Sequence, residues 1–135
     1  MQYNLFQDVL LNLQTFPVEA YEMQTNFYPT VRAAGGVPLT HTTLWSKTDW
    51  MLFTAATAMH SGVGNETVRD MFINDVHNFM ANGLNPVPFS DKFLVEASDT
   101  APGGSWVDFR NRPVVGGHFA VLALGGPNQI NLGTN

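Results

Sequence analysis

The sequence predicts a mainly helical fold, with about five helices packed as αα-hairpins and long loops between them. Apolar residues recur at three- and four-residue steps in several segments, which is the spacing of one helix face. Glycine and proline pairs separate these segments and mark points where helices end. Because 135 residues are enough for one domain with one core, we predict a single helical domain over residues 1–124 and a loose tail over residues 125–135.

The first two predicted helices lie close together near the N-terminus. Residues 3–13 form the first, because large apolar side chains fall on one helical face. These side chains are Leu5, Phe6, Val9, Leu10 and Leu13. Pro17 ends this helix and lies near the first turn of a second, shorter helix over residues 18–24. Phe27 and Tyr28 are then predicted to form an aromatic plug before a loop.

A central helix is predicted over residues 46–60, and the rest of the chain is expected to pack on it. Ser46, followed three residues later by Asp49, fits a capping-box-like start. The Ser46 hydroxyl can accept a hydrogen bond from a backbone N–H of the first turn that has no partner within the helix. Residues 50–53 are bulky and residues 55–58 are small. This order favours a helix that enters the core and then packs closely on a neighbour.

The clearest helix is predicted over residues 65–82. Asn65 is a good N-cap, and Glu66 places an acid in the first turn. One apolar stripe follows helical spacing, through Val68, Met71, Phe72, Val76, Phe79 and Met80. The Gly-Val-Gly run at residues 62–64 ends the central helix and Gly83 ends this one, so the two are predicted to form an αα-hairpin.

The C-terminal part is predicted to be irregular until a final helix. Residues 85–88 are Asn-Pro-Val-Pro and residues 96–104 are a loop with serine, aspartate, threonine, proline and two glycines, so residues 84–104 are predicted to be irregular. Residues 106–112 are predicted to be extended. The last helix is apolar, with two early glycines, and spans residues 114–124. A Gly-Gly-Pro run at residues 125–127 ends it.

Composition argues against several classes of function. The net charge is −5 with only six Lys and Arg residues and no basic cluster, so nucleic-acid binding is not expected. The apolar run at residues 119–124 is too short to span a bilayer, so no membrane insertion is expected. The first residues lack the charged start and apolar stretch of a signal peptide. No cofactor or metal is expected, because cysteine is absent and the histidines show no metal-ligand spacing.

The candidate catalytic residues are Lys47, Asp49 and His118. Lys47 and Asp49 lie at the start of the central helix, where they form either a polar pair at the mouth of a cleft or a capping acid beside a solvated lysine. His118 follows two glycines, which allow a ligand or another backbone to approach closely. A histidine at a helix N-terminus tends to be neutral and suited to general-base work, and the alternative is a core histidine bonded to a loop carbonyl.

The candidate binding residues are His41, Trp45 and Arg112. His41 lies in the polar run at residues 40–43, and Trp45 is either a platform for stacking on sugars or part of the core. Arg112 can clamp a ligand carboxylate in a bidentate manner. The alternative for Arg112 is a salt bridge to one of four loop acids, Asp91, Glu96, Asp99 or Asp108. Asn65 begins an Asn-Glu-Thr sequon and is a candidate glycosylation site.

Three blocks of the sequence carry a resemblance to a known family. The first comprises Phe-Pro at 16–17, Tyr-Glu-Met-Gln at 21–24 and Phe-Tyr-Pro-Thr-Val at 27–31. The second comprises Gly-Val-Pro-Leu at 36–39, Ser-Lys-Thr-Asp-Trp at 46–50 and Phe-Thr-Ala-Ala at 53–56. The third comprises Arg-Pro-Val-Val-Gly-Gly-His-Phe-Ala at 112–120 and Leu-Ala-Leu at 122–124. In this order they resemble the C-terminal region of the secreted fungal glutaminase A family, over nearly the whole chain.

The resemblance implies a double ring of helical hairpins, an α/α toroid like that of six-hairpin glycosidases, of which this chain would supply part. It also implies a secreted protein and, where activity is kept, hydrolysis of L-glutamine to glutamate and ammonia. A fragment of a ring leaves apolar faces open, so we expect a homodimer that covers them.

One departure from the family decides which function we predict. Residues 40–43 are Thr-His-Thr-Thr where the family has Asp-Ser-Arg-His, so an acid and a cation are missing. We therefore predict a stand-alone, non-catalytic secreted fungal protein that binds carbohydrate or a cell-surface receptor, as small immunomodulatory mushroom proteins do. The alternative is a glutaminase-type amidohydrolase, and a third possibility is a piece of a longer enzyme.

Overall fold

The computed structural model describes residues 1–60 and 63–125 of the chain. Within them the fold is mainly helical, as predicted, with five α-helices and a small two-stranded sheet. The helices are α1 (Leu5–Leu10), α2 (Val18–Phe27), α3 (Thr48–Thr57), α4 (Glu66–Ala81) and α5 (Ala120–Gly125). The strands are β1 (Trp45–Lys47) and β2 (Lys92–Leu94), and two 3₁₀ helices span Tyr28–Val31 and Pro113–Phe119. The tail predicted beyond Gly125 lies outside the described residues.

The core is built around α3 and α4, which form the predicted αα-hairpin. Its buried side chains include Met51, Leu52, Ala55, Val68, Phe72, Val76 and Phe79. The two helices run antiparallel, because Met51 near the start of α3 and Asp75 late in α4 both lie beside Gly36. At the opposite end, Arg69 of α4 contacts the sulfur of Met59 at 3.8 Å. α1, α5, β1 and the second 3₁₀ helix also pack on α3, so the chain is organised around this helix, as predicted.

The predicted capping of the central helix by Ser46 is wrong. Ser46 lies fully buried in β1, where it is paired with Phe93 of the antiparallel partner β2. The helix begins at Thr48, and its N-cap is Lys47, whose side chain makes no capping hydrogen bond. The cause is tertiary, because pairing with β2 keeps β1 extended and the Thr48 N–H donates to the carbonyl of Asp91 at 2.8 Å. The helix also ends at Thr57 rather than at residue 60.

α1 is shorter than predicted and ends at Leu10 rather than at residue 13. The buried carboxylate of Asp8 accepts hydrogen bonds from the Thr15 N–H, at 2.9 Å, and from the Tyr21 hydroxyl. These bonds draw the following segment back across the end of the helix. As a result Leu13, expected on the apolar face, is 59% exposed.

α2 is longer than predicted, since it reaches Phe27 and continues directly into the first 3₁₀ helix. The predicted aromatic plug is only half formed. Tyr28 is buried and packs edge-on against Phe72, with 5.2 Å between ring centroids, whereas Phe27 is exposed. Neighbouring residues on a helix point in different directions, so the two rings cannot both face the core.

α4 begins and ends close to where the sequence predicts. Asn65 is its N-cap, and the Asn65 Oδ1 accepts a hydrogen bond from the Val68 N–H at 3.0 Å. After the helix, Gly83 adopts a positive φ of 73°, which suits a glycine stop. The predicted stripe is buried except at its edges, where Met80 is exposed.

The final helix predicted over residues 114–124 is wrong in its first half. Residues Pro113–Phe119 form a 3₁₀ helix, and α5 begins only at Ala120. Two adjacent glycines at 116 and 117 are poor α-helix formers, which allows the tighter helix here. None of the helices among residues 1–60 and 63–125 has the length and apolar character needed to cross a membrane.

The segment predicted to be extended, residues 106–112, makes one bridge to the sheet and then turns. Trp106 pairs with Phe93 of β2. Asp108 and Asn111 then adopt positive φ values of 59° and 52°, which bend the chain away from the strand. This bend carries the next residues toward the start of α3.

Candidate functional site

Four charged side chains meet at the start of α3, and we refer to Lys47, Asp49, Asp91 and Arg112 as the ion cluster. The Lys47 Nζ lies 3.0 Å from the Asp49 Oδ1 and 3.0 Å from the Asp91 Oδ2. The Arg112 Nε donates to the Asp91 Oδ1 at 2.9 Å, and its Nη2 pairs with the Asp91 Oδ2. The side chains of Lys47, Asp49 and Asp91 are at most 6% exposed, while that of Arg112 is 34% exposed.

Three parts of the fold bring these residues together. β1 ends at Lys47 and α3 begins at once, so Asp49 falls in the first turn of the helix. Asp91 comes just before β2 and is held there by its carbonyl bond to Thr48. Arg112 precedes the second 3₁₀ helix. The small sheet, which local patterns in the sequence did not predict, is therefore required to form the site.

The charges of the ion cluster compensate one another. Two cations and two carboxylates give no net charge, and Asp91 contacts both cations. Burial alone would raise the pKa of Asp91, but the hydrogen bonds from Arg112 and Lys47 outweigh it and hold this pKa below the usual value. Asp91 is therefore a carboxylate at neutral pH, and the four charged side chains of the cluster hold one another in place.

His118 lies beside the ion cluster, in the second 3₁₀ helix. Its Nε2 lies 2.9 Å from the Oγ1 of the fully buried Thr48, and its ring packs edge-on against Phe89. Burial lowers the pKa of His118, although Asp49 and Asp91 act in the opposite direction. The imidazole is thus neutral at pH 7 because of burial rather than a helix N-terminus, and its partner is a hydroxyl on α3 rather than a loop carbonyl.

Gly117 explains why His118 comes so close to α3. A Cβ at this position would lie 3.0 Å from the Asp49 Cβ and 3.1 Å from the Phe53 Cε1. Only a residue without a side chain lets the second 3₁₀ helix approach the first turns of α3 to this distance. The two glycines before His118 predicted a close approach of this kind.

An open pocket of about 370 Å³ adjoins the ion cluster. Its lining residues are Phe89, Asn111, Arg112, Pro113 and Val115. Arg112 therefore belongs to both the cluster and the pocket. The Nε and Nη2 edge of its guanidinium binds Asp91, and the remaining N–H donors are available. A planar anion, such as a carboxylate, is the ligand group that these donors suit.

The structure brings together four of the residues singled out from the sequence, Lys47, Asp49, Arg112 and His118. The alternative of a solvated lysine is wrong, because Lys47 is buried and paired with two carboxylates. The salt bridge considered for Arg112 forms, and its partner is Asp91.

The other predicted residues lie apart from the ion cluster. His41 is exposed in the loop before β1. Trp45 is half-buried, and the Lys92 Nζ lies 4.3 Å above its ring. Asn65 uses its Oδ1 as a helix cap, whereas a glycan would attach to its Nδ2, so glycosylation stays a prediction.

Asp91 and Thr48 are the residues of the site that the sequence did not identify as functional. Asp91 was considered only as one of four acids for Arg112, and Thr48 was part of the predicted helix start. Neither lies at a diagnostic spacing from His118 or Lys47, so a local pattern had no means of finding them. Among residues 1–60 and 63–125, no group of three or more His, Asp or Glu side chains is arranged to hold a metal ion.

The fold and the sequence together define the class of protein. The chain belongs to the Glutaminase A six helical-hairpin domain family, whose model matches residues 1–122. This agrees with the resemblance that the three sequence blocks indicate.

Two fungal relatives are similar over most of the chain. Glutaminase A of Aspergillus oryzae is 42% identical over 124 residues, which are 90% of this chain and 16% of the relative. A probable glutaminase of Arthroderma benhamiae is 34% identical over 108 residues, which are 80% of this chain and 12% of the relative. The chain thus spans less than a fifth of the length of either relative. No solved structure matches it significantly.

Proposed function

We propose that the chain forms part of a glutaminase-type amidohydrolase, which hydrolyses the side-chain amide of L-glutamine to glutamate and ammonia. The observation that carries this proposal is the family membership of residues 1–122. The Aspergillus oryzae relative bears the name glutaminase A, and it shares 42% of the aligned residues with this chain. The ion cluster, His118 and the adjoining pocket supply polar groups that such a site needs.

In this proposal His118 is the general base. Because burial lowers its pKa, the neutral imidazole can take a proton from a water molecule that attacks the amide carbon. The C–N bond then breaks, and the proton passes from His118 to the leaving nitrogen, which departs as ammonia. Arg112 at the edge of the pocket binds a substrate carboxylate. The buried pairs of Lys47 with Asp49 and Asp91 hold this arrangement before substrate binds.

The test is a chimera in which this chain replaces the aligned segment of Aspergillus oryzae glutaminase A. We expect the chimera to release ammonia from L-glutamine. We expect His118→Ala to lower its kcat by at least about 100-fold, which is the usual contribution of a general base. His77→Ala is the matched control, because His77 is an exposed histidine on α4. Circular dichroism verifies that each variant is folded.

Two outcomes would count against this proposal. A folded chimera without turnover would contradict it, and full activity in His118→Ala would remove His118 as the base.

The purified chain alone is expected to release no ammonia above background, because its described residues form five helices whereas the family domain has six hairpins. Ammonia release by the chain alone, in proportion to its concentration, would mean that it carries a complete site.

A second candidate is a non-catalytic, secreted protein that binds carbohydrate or a cell-surface receptor, including an immunomodulatory protein. The observation that favours it is the closed state of the ion cluster, in which Lys47, Asp49 and Asp91 are buried and paired with one another. Residues 40–43, the loop around His41, are Thr-His-Thr-Thr and so also lack the acid and the cation expected there from the family resemblance. An inactive chimera, together with glycan binding by the chain that Trp45→Ala abolishes, would favour this candidate.

A further inference from the structure

A second cavity, of about 380 Å³, lies between α4 and three loop segments, and we call it the α4 pocket. The loop segments are residues 34–35, 96–97 and 103–104. The α4 pocket shares no residue with the ion cluster or with the pocket beside it. Its size is at the lower end of the range for small-molecule sites, which suits a ligand as large as a single amino acid.

The floor of the α4 pocket is apolar and one wall is polar. Phe79 and Phe93 stack with 4.2 Å between their ring centroids, and both are almost fully buried. Asp75, Asn78 and Asn82 follow one another at three- and four-residue steps, so they lie along one face of α4. The rings therefore support the pocket from below, and a ligand would place carbon atoms against the exposed alanines of the lining, Ala34 and Ala97, and polar groups along the helix.

The walls are held by hydrogen bonds that do not depend on a ligand. The Gly35 N–H donates to the carbonyl of Val95 at 2.9 Å. The Asn82 Nδ2 donates to the carbonyl of Gly104 at 2.9 Å, which ties that loop to α4. The pocket is therefore formed in advance, and a ligand does not have to order it.

Two side chains of the α4 pocket remain free for a ligand. Asp75 is neutralised by Arg32, whose Nε donates to its Oδ2 at 3.0 Å, and Asn82 is engaged with Gly104. Glu96 and Asn78 also line the pocket, and neither side chain has a hydrogen bond or ion pair with the part of the chain that the structure describes. The free charge of the pocket is therefore negative and comes from Glu96.

We propose that the α4 pocket binds a small ligand with a primary ammonium group. The ammonium pairs with the carboxylate of Glu96, and a carbonyl or hydroxyl of the ligand binds the amide of Asn78. The carbon skeleton lies against Ala34 and Ala97. This site is separate from the proposed hydrolytic site, so it can be tested in the chain as it exists, without any enzymatic readout.

The test is a titration of the purified, ¹⁵N-labelled chain with three compounds of similar shape, n-propylammonium, propionamide and propanoate. We expect saturable amide shifts around α4 that are strongest with n-propylammonium and absent with propanoate. Glu96→Gln, which keeps the shape and removes the charge, is expected to weaken n-propylammonium binding by about tenfold. Glu22→Gln is the matched control, since Glu22 is an exposed acid on α2, away from the α4 pocket.

Three results would overturn the proposal. They are no saturable binding of n-propylammonium, equal binding of propanoate, and equal affinity in the Glu96→Gln and unaltered chains. Because Glu96 is exposed, its substitution should leave the fold intact, and the thermal melt of the variant verifies this.

Discussion

Asp91 is the residue on which the candidate site depends most. Its carboxylate is fully buried and contacts both Lys47 and Arg112, which come from different elements. Removing one partner of a buried ion pair leaves the other charge without compensation, and this costs far more than the loss of an exposed pair.

Asp91→Asn is therefore expected to lower the free energy of unfolding by about 3–5 kcal/mol. Asp108→Asn is the matched control, because the Asp108 carboxylate pairs with Lys92 at 2.8 Å but is 62% exposed. An exposed pair of this kind contributes about 0–1 kcal/mol. Urea unfolding at neutral pH measures both variants, and equal effects would mean that the buried cluster does not stabilise the fold.

The lowered pKa of His118 predicts a pH dependence of stability. Burial depresses this pKa in the folded state, while the unfolded chain keeps the usual value of 6.5. As pH falls through about 6.5, the unfolded state binds the proton first, so the folded state loses stability until His118 also protonates within it. Above about pH 6.5, where His118 is neutral in both states, its contribution to stability is fully present. The lowered pKa of Asp91 affects stability in a different pH range. The stabilisation that the Asp91 carboxylate contributes is lost only as the pH falls below 3.8, the usual pKa of an aspartate.

Urea unfolding between about pH 7.5 and pH 5.5 tests this dependence. His118→Gln is expected to flatten the decline of stability over that interval, because glutamine does not titrate. His77→Gln serves as the control, since His77 is exposed on α4 and its change should leave the decline in place. A decline that His118→Gln leaves unaltered would assign the pH dependence to other groups.

At the scale of elements, the contact between the second 3₁₀ helix and α3 decides where His118 lies. Gly117 sits directly against α3, whereas a methyl group added at the neighbouring Gly116 would meet no atom within 4 Å. The two glycines are adjacent in the sequence, but only one of them is needed for packing.

Gly117→Ala is expected to destabilise the chain by about 1–3 kcal/mol, because its methyl group would overlap Asp49 and Phe53. Gly116→Ala meets open space and should change stability by no more than about 0.5 kcal/mol. Thermal unfolding of the two variants side by side measures the difference. If Gly117→Ala melts like Gly116→Ala, the close contact with α3 is not required.

At the scale of the whole molecule, α2 presents apolar side chains to solvent. Met23 and Phe27, one turn apart on the same face, are 71% and 51% exposed. Charged residues make up only 13% of the chain, so few side chains are available to keep this face in water. A second copy of the chain, related by a two-fold axis, would cover such a face without forming fibres.

We therefore predict that the chain forms a homodimer at micromolar concentration, with an interface of at least about 1,000 Å². Replacing both Met23 and Phe27 with Gln should shift the chain toward the monomer. Met80→Gln is the control, because Met80 is an exposed methionine on α4. Sedimentation velocity over a range of concentrations measures the mass, and a monomer at every concentration would contradict the prediction.

Local signals in the sequence were enough to establish the helical class, the hairpin of α3 and α4, and the family. These signals are apolar spacing, the Asn65 cap and short blocks of sequence, and they act between residues close together in the chain. The sequence also pointed to Lys47 and Asp49 at the start of a predicted helix, to His118 after two glycines, and to Arg112 as a group that can bind a carboxylate.

How these residues meet depends on tertiary contacts that no local pattern contains. Pairing with β2 turned Ser46 from a helix cap into a buried strand residue, and it moved the start of α3 to Thr48. The same pairing brought Asp91 between Lys47 and Arg112. Strand pairs and buried ion pairs join residues far apart in the chain, and their free energy depends on burial, which exists only once the core has formed.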